Sequence, residues 1–323
     1  RGAYLQALAI AMHSALNESS VFLWTLPMFH CNGWCFTWAV TAAGGTHLCM
    51  RKADPALIWH HLRGSGVTQF NAAPTILIML AWHGDAQPLQ HTVNVATGGA
   101  PPTPALLARM AELNMNMTHL YGLTETFGPA VICEWRRDWN QWPAAQIAQI
   151  KARQGVGNVI AQTLRVVDDQ GADVPRDGST LGEIALRGNN VMLGYYRDDD
   201  ATRRAAPDGW FRTGDLGTID SDGFLKITGR KKDLIVTSGG KNIAPAPLEA
   251  LLSQSLFVDQ IMLIGDKRQY RRLFRIEVLN AAAPGNLRVR HPCLERLLAC
   301  HAADRRERLQ RRAVRIRLAR RIE

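Results

Sequence analysis

The sequence of 323 residues lacks any pattern that would carry it into or across a membrane. No apolar run reaches the roughly 18 residues that a membrane-spanning helix requires. The first residues, Arg1-Gly-Ala-Tyr, also lack the basic, apolar and small-residue order of a secretory signal peptide. We therefore expect a cytoplasmic protein with no integral membrane segment.

Cysteine is scarce, and its spacing excludes the common metal and disulfide frameworks. Zinc sites and disulfide-rich secreted domains use closely spaced thiols, and no Cys-x-x-Cys pair occurs here. We expect buried, unreactive thiols, because free cysteine behaves as a small apolar residue. The six cysteines are scattered among apolar neighbours, at Cys31, Cys35, Cys49, Cys133, Cys293 and Cys300.

Acidic residues are outnumbered by basic residues only at the carboxyl end of the chain. Residues 267–323 hold 17 Lys and Arg against 5 Asp and Glu, a net charge of +12, so residues 1–266 carry −2 of the total of +10. A nucleic-acid-binding domain shows its positive charge over a folded face. Here the charge belongs to an Arg-rich tail with the pattern of a basic helix or a solvated charged segment. We expect no nucleic-acid partner.

Apolar segments of strand length alternate with segments of helix length between Ser20 and Tyr121. This alternation favours parallel crossover units, and hence an α/β fold with a layered parallel-sheet body. From about residue 155 the sequence pattern changes to short segments of strand length. Between two of them we predict a hairpin turn at Asp220-Ser-Asp-Gly223, since Asp-Gly tolerates the positive φ of such turns.

The stretch from Asp208 to Gly217, Asp-Gly-Trp-Phe-Arg-Thr-Gly-Asp-Leu-Gly, has the residue types of a ribose site. Asp215 follows a Thr-Gly turn, where a carboxylate can accept hydrogen bonds from both ribose hydroxyls. Arg230 suits the same ribose or an α-phosphate through its forked donors. Each residue alone is better explained as a turn aspartate or a surface arginine. Their joint spacing favours a nucleotide site.

The stretch Tyr121-Gly-Leu-Thr-Glu125 has the residue types of a triphosphate site. The Tyr121 ring can stack on adenine and Gly122 permits close backbone approach. Thr124 can donate to a phosphate, and Glu125 can hold Mg²⁺. The same residues would also fit a strand end with a capping threonine and a first-turn glutamate.

A glycine turn precedes the helix that we predict from Thr103. The amino end of such a helix can face adenine or an acyl group. The nucleotide-binding residues that we assign to this turn are Gly98, Gly99 and Ala100.

The ordered set of motifs resembles the adenylate-forming superfamily, whose members include acyl-CoA synthetases, luciferases and peptide-synthetase adenylation domains. The resemblance runs from about Tyr4 to Asp266. It implies a partial N-terminal AMP-binding domain at 1–229, with a small β-rich subdomain at about 155–229. A smaller α+β C-terminal lobe would follow at 230–323, atypical and basic after residue 267. The implied cofactors are ATP, Mg²⁺ and coenzyme A.

The resemblance also implies roles for residues that are unremarkable by themselves. Leu26-Pro-Met-Phe-His-Cys-Asn-Gly-Trp34 is similar to the acyl-pocket segment of fatty acyl-CoA synthetases, which would place His30 and Trp34 along the acyl and pantetheine passage. Lys232 stands where the family has its hinge, and an ordinary solvated Lys-Lys-Asp turn is the alternative. Gly239 and Gly240 would present backbone to the pantetheine arm.

Two parts of the family pattern are missing from the sequence. The Ser/Thr/Gly-rich phosphate loop ending in Pro-Lys-Gly does not occur, and no lysine in a Pro-x-x-x-x-Gly-Lys context follows Asp266. Electrostatic groups aimed at a reacting phosphate contribute about 10²–10³-fold each. We therefore expect a fragment, truncated at its N-terminus and divergent at its C-terminus, with residual adenylation at best.

The sequence thus predicts part of an ATP-dependent acyl-CoA synthetase that works through an acyl-adenylate. The expected substrate is a medium- or long-chain fatty acid or a similar carboxylate, and a homodimer is a candidate assembly. Two alternatives remain open: another adenylate-forming enzyme of the peptide-synthetase or luciferase type, and a non-enzymatic module that binds a nucleotide or acyl-CoA.

Overall fold

The computed structural model divides the chain into two compact units, Arg1–Ile227 and Thr228–Glu323. Three residues of the predicted site, Ala100, Gly239 and Gly240, lie outside the residues that the structure describes. The domain boundary between residues 229 and 230 stays a prediction. The described residues are 1–99, 102–236, 242–245, 248–249, 263–264, 275–278 and 317–318.

The first unit alternates helices with strands, as the apolar pattern predicts. Its helices are α1 (Gly2–His13), α2 (Cys31–Trp34), α3 (Phe36–Ala42), α4 (Pro55–Gly64), α5 (Pro74–Ala81), α6 (Pro104–Glu112), α7 (Ala144–Lys151) and α8 (Asp199–Ala205), with 3-10 turns at Thr124–Thr126 and Arg137–Gln141. Its strands are β1 (Val21–Trp24), β2 (Thr46–Cys49), β3 (Gln69–Asn71), β4 (Val93–Gly98), β5 (Met115–Leu123), β6 (Gly128–Ile132), β7 (Val156–Gly157), β8 (Arg165–Val167), β9 (Gly182–Leu186), β10 (Phe211–Ile219) and β11 (Leu225–Arg230), the last of which crosses the boundary.

Local sequence signals set the helix starts. The Asp54 carboxylate accepts a hydrogen bond from the Leu57 amide at 3.1 Å, and Pro55 occupies the first turn of α4. Thr103 caps α6 in the same way through the Leu106 amide at 3.2 Å. Both helices therefore begin with a capping side chain followed by a proline, whose missing N–H costs nothing there.

A seven-stranded sheet in the order β2-β1-β3-β4-β5-β6-β7 forms the body of this unit. The strands from β2 to β5 pair in parallel, whereas β5, β6 and β7 pair antiparallel. Crossover helices join the parallel strands because such strands run in one direction and need a return segment. This layered α/β architecture confirms the predicted fold class.

Apolar side chains cover both faces of the large sheet. One cluster packs α4, α5 and α6 on the sheet through Trp59, Leu80 and Met110. The opposite face holds a second cluster from α1, α3 and β1, in which the Phe22 and Phe36 rings stack with centroids 5.0 Å apart. Apolar clusters therefore lie on both faces of the large sheet, as is usual for parallel sheets covered by helices.

A smaller four-stranded sheet, in the order β11-β10-β9-β8, accounts for the β-rich texture after residue 155. A third apolar cluster joins residues of this sheet, such as Ile184, to Tyr121 and Val131 of the large sheet. The predicted hairpin turn lies between β10 and β11, where Gly223 has φ +84°. The third cluster brings β5 and β10, which carry the two predicted nucleotide motifs, into contact.

The described parts of the second unit are short. They include a 3-10 turn at Lys231–Asp233 and strands β12 (Ile235–Val236), β13 (Asn242–Ile243), β14 (Leu263–Ile264), β15 (Arg275–Val278) and β16 (Arg317–Leu318). Strands β12 and β13 pair antiparallel. Among the described residues of the whole chain, no helix has the length and apolar character needed to cross a membrane.

Candidate active site

The carboxyl ends of β4 and β5 lie side by side. The parallel register pairs Thr97 with His119 and Gly98 with Leu120. Ligands of parallel α/β sheets bind beyond the carboxyl ends of the strands, because loops and helix amino ends converge there. The Gly98 turn and the Tyr121 to Glu125 motif therefore reach the same edge of the sheet.

Tyr121 and Asp215 are in direct contact although 94 positions separate them. The Tyr121 hydroxyl donates a hydrogen bond to Oδ2 of Asp215 at 2.7 Å. Both residues are buried, with 7% and 5% of their surface exposed. The Tyr121 ring belongs to the apolar cluster between the two sheets. The structure thus joins the two motifs that sequence spacing assigned to one nucleotide, and it does so through the phenol group.

The turn that presents Asp215 is built from polar contacts on β9 and β10. Gly214 has φ +74°, and its amide donates to the Glu183 carboxylate at 3.1 Å. The Asp215 amide donates to the Thr213 hydroxyl at 3.1 Å. A positive φ suits glycine best, so the Thr-Gly-Asp order fixes the direction of the carboxylate.

Gly122 is required for the close approach of two strands of the same sheet. A Cβ atom on Gly122 would lie 2.0 Å from the carbonyl oxygen of Gly128 on β6. The sequence predicted close backbone approach at this position, and the approaching group is the neighbouring strand. Its role in nucleotide binding stays a prediction.

Glu125 lies in the 3-10 turn that follows β5 and is partly buried. Oε1 accepts a hydrogen bond from the Tyr195 hydroxyl at 3.0 Å, and the backbone carbonyl accepts from the Met192 amide at 2.7 Å. Burial raises the pKa of Tyr195, and its hydrogen bond with Glu125 and the charge of that residue raise it further. Sequence reasoning missed Tyr195, because nothing local to Gly194-Tyr-Tyr points to a residue 70 positions away.

The segment from Cys31 to Cys35, which includes α2, is not a right-handed helix: it has left-handed backbone at five consecutive positions, with φ values of +44°, +48°, +63°, +52° and +68°. Four of the five are not glycine, so this turn is costly, at about 1–2 kcal/mol per non-glycine residue. Gly33 is needed within it, since a Cβ atom there would lie 2.8 Å from the Trp24 ring. Only Asn32-Gly33 hinted at this turn, because these residue types tolerate positive φ.

This left-handed turn faces the carboxyl ends of the strands. The Trp34 ring lies 3.0 Å from the position that a Cβ atom on Gly98 would occupy. The thiol of Cys31 lies 3.5 Å from the hydroxyl of Thr124, which is itself exposed. His30, just before the turn, is exposed as well. The structure therefore brings the predicted acyl segment next to the Gly98 and Thr124 motifs, and the roles of His30 and Trp34 stay predictions.

Two predicted residues belong to the second unit. Arg230 ends β11 and Lys232 lies in the 3-10 turn that follows, and both are exposed. An exposed Lys-Lys-Asp turn fits a hinge and a plain solvated turn equally well, so both roles stay predictions. In the first unit, Gly99 is exposed with φ +89°.

The acidic residues of the site suit magnesium better than a metal held by protein alone. Within the described residues, no group of three or more His, Cys, Asp or Glu side chains could hold a metal. Mg²⁺ bound with a nucleotide needs only one or two carboxylates, because phosphate oxygens and water supply the other ligands. Glu125, next to the exposed Thr124 hydroxyl, meets that requirement.

One buried histidine lies directly behind the site. His119 is on β5, two residues before Tyr121, and is 1% exposed. Burial lowers its pKa to about 4, although the nearby backbone of Ala152 and Arg153 opposes the shift. The imidazole is therefore neutral at pH 7 and adds no positive charge to the site.

Comparison with characterised proteins supports the assignment that the motifs suggested. The family model described as AMP-binding enzyme matches residues 2–196. The chain is 45% identical over 254 residues to the 2-methylpropanoate–CoA ligase CCL4 of Humulus lupulus, covering 78% of this chain and 46% of the relative. It is 43% identical over 265 residues to the probable acyl-activating enzyme 5, peroxisomal, of Arabidopsis thaliana, covering 82% and 48%.

Solved structures share the fold. The o-succinylbenzoate CoA synthetase MenE of Bacillus subtilis, in complex with ATP and magnesium ion, has a TM-score of 0.71 and 26% identity, covering 82% of this chain and 53% of that one. The chain spans about half the length of the relatives that it matches. With the family model matched over most of the first unit, the chain belongs to the AMP-binding enzyme family.

Proposed function

We propose that this chain supplies the nucleotide- and acyl-binding part of an ATP-dependent CoA ligase that works through an acyl-adenylate. The observation that carries the proposal is the 2.7 Å hydrogen bond from Tyr121 to Asp215, with Glu125 in the turn that ends the same strand. It ties the predicted ribose and triphosphate residues to one edge of the sheet. The names of relatives at 43–45% identity support CoA ligation.

In the proposed first step, a carboxylate oxygen of the acid attacks the α-phosphorus of ATP, and the bond to the pyrophosphate oxygen breaks. Asp215 accepts hydrogen bonds from the ribose hydroxyls, with its orientation set by the Tyr121 phenol. Thr124 donates to a phosphate oxygen, and Arg230 binds the ribose or the α-phosphate. Glu125 would hold Mg²⁺, which neutralises phosphate charge when bound. Such chemistry depends mainly on positioning and charge.

In the proposed second step, the sulfur of coenzyme A attacks the acyl carbon and AMP leaves with its phosphate oxygen. His30 and Trp34 line the passage for the acyl group and the pantetheine arm, and Gly239 and Gly240 present backbone to that arm. Lys232 acts as the hinge between the two steps. The exposed position of Lys232 is compatible with this role, because a hinge residue must change its backbone conformation without breaking packed contacts.

The substrate is proposed to be an aliphatic carboxylic acid. The sequence favours a medium- or long-chain fatty acid, whereas the relatives named for 2-methylpropanoate and acetate support shorter acids. Non-hydrolysable acyl-adenylate analogues of acetate, 2-methylpropanoate and a long-chain acid, compared by binding affinity, will decide the length.

We also propose a cytoplasmic location and a homodimeric assembly, both of which are expectations from the sequence. One relative is named as peroxisomal, so fractionation of cells that express the protein tests the first. Sedimentation equilibrium tests the second.

The central test is substitution of the proposed ribose ligand. Asp215→Ala should weaken binding of AMP and of an acyl-adenylate analogue by at least about 100-fold, since hydrogen bonds to a charged group contribute about 1.5–3 kcal/mol each. Isothermal titration calorimetry on the 323-residue chain measures this without requiring turnover. Asp222→Ala, which removes an exposed turn carboxylate between β10 and β11, is the matched control. Equal affinity in both variants would refute the proposal.

A further inference from the structure

The loop after β9 holds Glu125 at two points. The Met192 amide donates to the Glu125 backbone carbonyl at 2.7 Å, and the Tyr195 hydroxyl donates to Oε1 of its carboxylate at 3.0 Å. One contact fixes the backbone of the 3-10 turn and the other fixes the rotation of the side chain. Two contacts from one loop to one residue determine its direction better than either contact alone.

The loop is itself anchored to α8, which fixes the backbone position from which the Tyr195 side chain extends to Glu125. The Tyr195 amide donates to the Thr202 hydroxyl at 2.9 Å, and its carbonyl accepts from the Asp198 amide at 3.2 Å. Asp198 caps α8 by accepting from the Ala201 amide at 2.8 Å. Both the amide and the carbonyl of Tyr195 are thus hydrogen-bonded, and these contacts fix the position of its Cα atom.

Gly194 makes this anchoring possible. A Cβ atom at Gly194 would lie 2.8 Å from both Oγ1 and Cγ2 of Thr202. Only glycine lets the loop come close enough for the hydrogen bond from the next residue to Thr202. The Gly-Tyr order is therefore a requirement of the geometry that directs Tyr195.

We propose that Tyr195 is a positioning residue for Glu125, orienting its carboxylate to hold the divalent cation that accompanies a nucleoside triphosphate. This inference rests on the proposed function, because it assumes that Glu125 is the cation ligand. The Tyr195 hydroxyl donates a hydrogen bond to Oε1 of the carboxylate. Among the described residues, none donates a hydrogen bond to Oε2.

The test is Tyr195→Phe in the 323-residue chain, with Mn²⁺ as the cation and electron paramagnetic resonance to count the bound ion in the presence of ATP. Groups that orient metal ligands typically change metal affinity by about 10–100-fold. We expect Mn²⁺ affinity to fall within that range, while AMP binding without metal stays unchanged. Tyr196→Phe is the matched control, because Tyr196 is the next residue and is 86% exposed.

A double substitution separates positioning from general stabilisation. If Tyr195 acts through the carboxylate, Glu125→Gln should lower Mn²⁺ affinity, and adding Tyr195→Phe to it should cause little further loss. Additive losses in the double variant would overturn the inference. So would wild-type Mn²⁺ affinity in Tyr195→Phe, equal loss of metal-free AMP binding, or no ATP-dependent Mn²⁺ binding by the wild-type chain.

These outcomes differ from failure of the proposed function itself. That failure would appear as unchanged AMP affinity in Asp215→Ala, a measurement that needs no metal and does not involve Tyr195. Failure of the present inference leaves that result intact and appears in the Mn²⁺ titrations or in the metal-free AMP affinity of Tyr195→Phe.

Discussion

The two carboxylates of the candidate site are built into the protein in different ways. Asp215 is 5% exposed, contacts Tyr121, and lies next to the apolar cluster that joins the two sheets. Glu125 lies partly exposed in a single 3-10 turn, held by the loop that carries Tyr195. A carboxylate tied to the core contributes to stability as well as to binding. A carboxylate in a surface turn contributes to binding with little effect on the fold.

This difference suits their proposed tasks. A ribose site benefits from a carboxylate that does not move, because preorganised hydrogen bonds need no reordering when the ligand binds. A cation that arrives with the nucleotide needs a ligand that solvent and phosphate can reach. Stability measurements should therefore distinguish Asp215, which is tied to the core, from Glu125, which lies in a surface turn.

Gly122→Ala should give the largest loss of stability. The new Cβ atom would meet the Gly128 carbonyl oxygen at 2.0 Å, so the two strand backbones must separate. Overpacking of this kind costs about 3 kcal/mol, measurable by urea denaturation. Gly84→Ala is the control, because a Cβ atom there meets nothing within 4 Å. A Gly122→Ala variant as stable as the control would show that the strands separate easily.

The buried side of the site should also make stability depend on pH. His119 has a pKa of about 4 in the folded chain, lowered by burial from an ordinary value of 6.5. As pH falls through that window, the unfolded chain binds a proton that the folded chain does not, so the free energy of unfolding decreases. The full loss is about 3 kcal/mol, present near pH 4 and absent above about pH 7.

Comparison of His119→Gln with His60→Gln separates the contribution of His119 to the pH dependence of stability from that of the carboxylates. His60 lies exposed on α4, so its replacement should leave the pH dependence unchanged. The pH dependence of urea denaturation should become flatter only in His119→Gln. An identical slope in both variants would mean that His119 takes up its proton in the folded state.

The smallest effects compare the two carboxylates directly. Tyr121→Phe removes the hydrogen bond to buried Asp215 and should cost about 1.5–3 kcal/mol, the usual range for bonds to a charged group. Glu125→Gln should change stability by no more than about 0.5 kcal/mol, because the side chain is partly exposed and an amide oxygen can still accept from Tyr195. Equal losses in the two variants would remove the distinction between a core and a surface carboxylate.

Several features of the fold followed from local sequence. Alternating apolar segments predicted the α/β body, and Asp220-Ser-Asp-Gly223 predicted the turn between β10 and β11, which the structure confirms. Two other features had weak local signals or none. The left-handed turn from Cys31 to Cys35 was signalled only by Asn32-Gly33, and the sequence around Tyr195, although Gly194-Tyr-Tyr fits the family pattern, carried no signal of its contact with Glu125. Periodicity and turn chemistry report on neighbours in sequence, whereas these features depend on packing against distant strands.

By itself the sequence determined the family, the layered architecture and the residue types gathered for a nucleotide. The architecture follows from hydrophobic period, which acts within a few residues, and the family from the resemblance of an ordered set of motifs, each of which is local in sequence. Only the tertiary structure decided three contacts. The Tyr121 hydroxyl bonds to Asp215, the Gly128 backbone packs against Gly122, and the Tyr195 hydroxyl bonds to Glu125. Each of these contacts is made across separate strands, turns or loops, and its geometry is set by how those elements pack against one another.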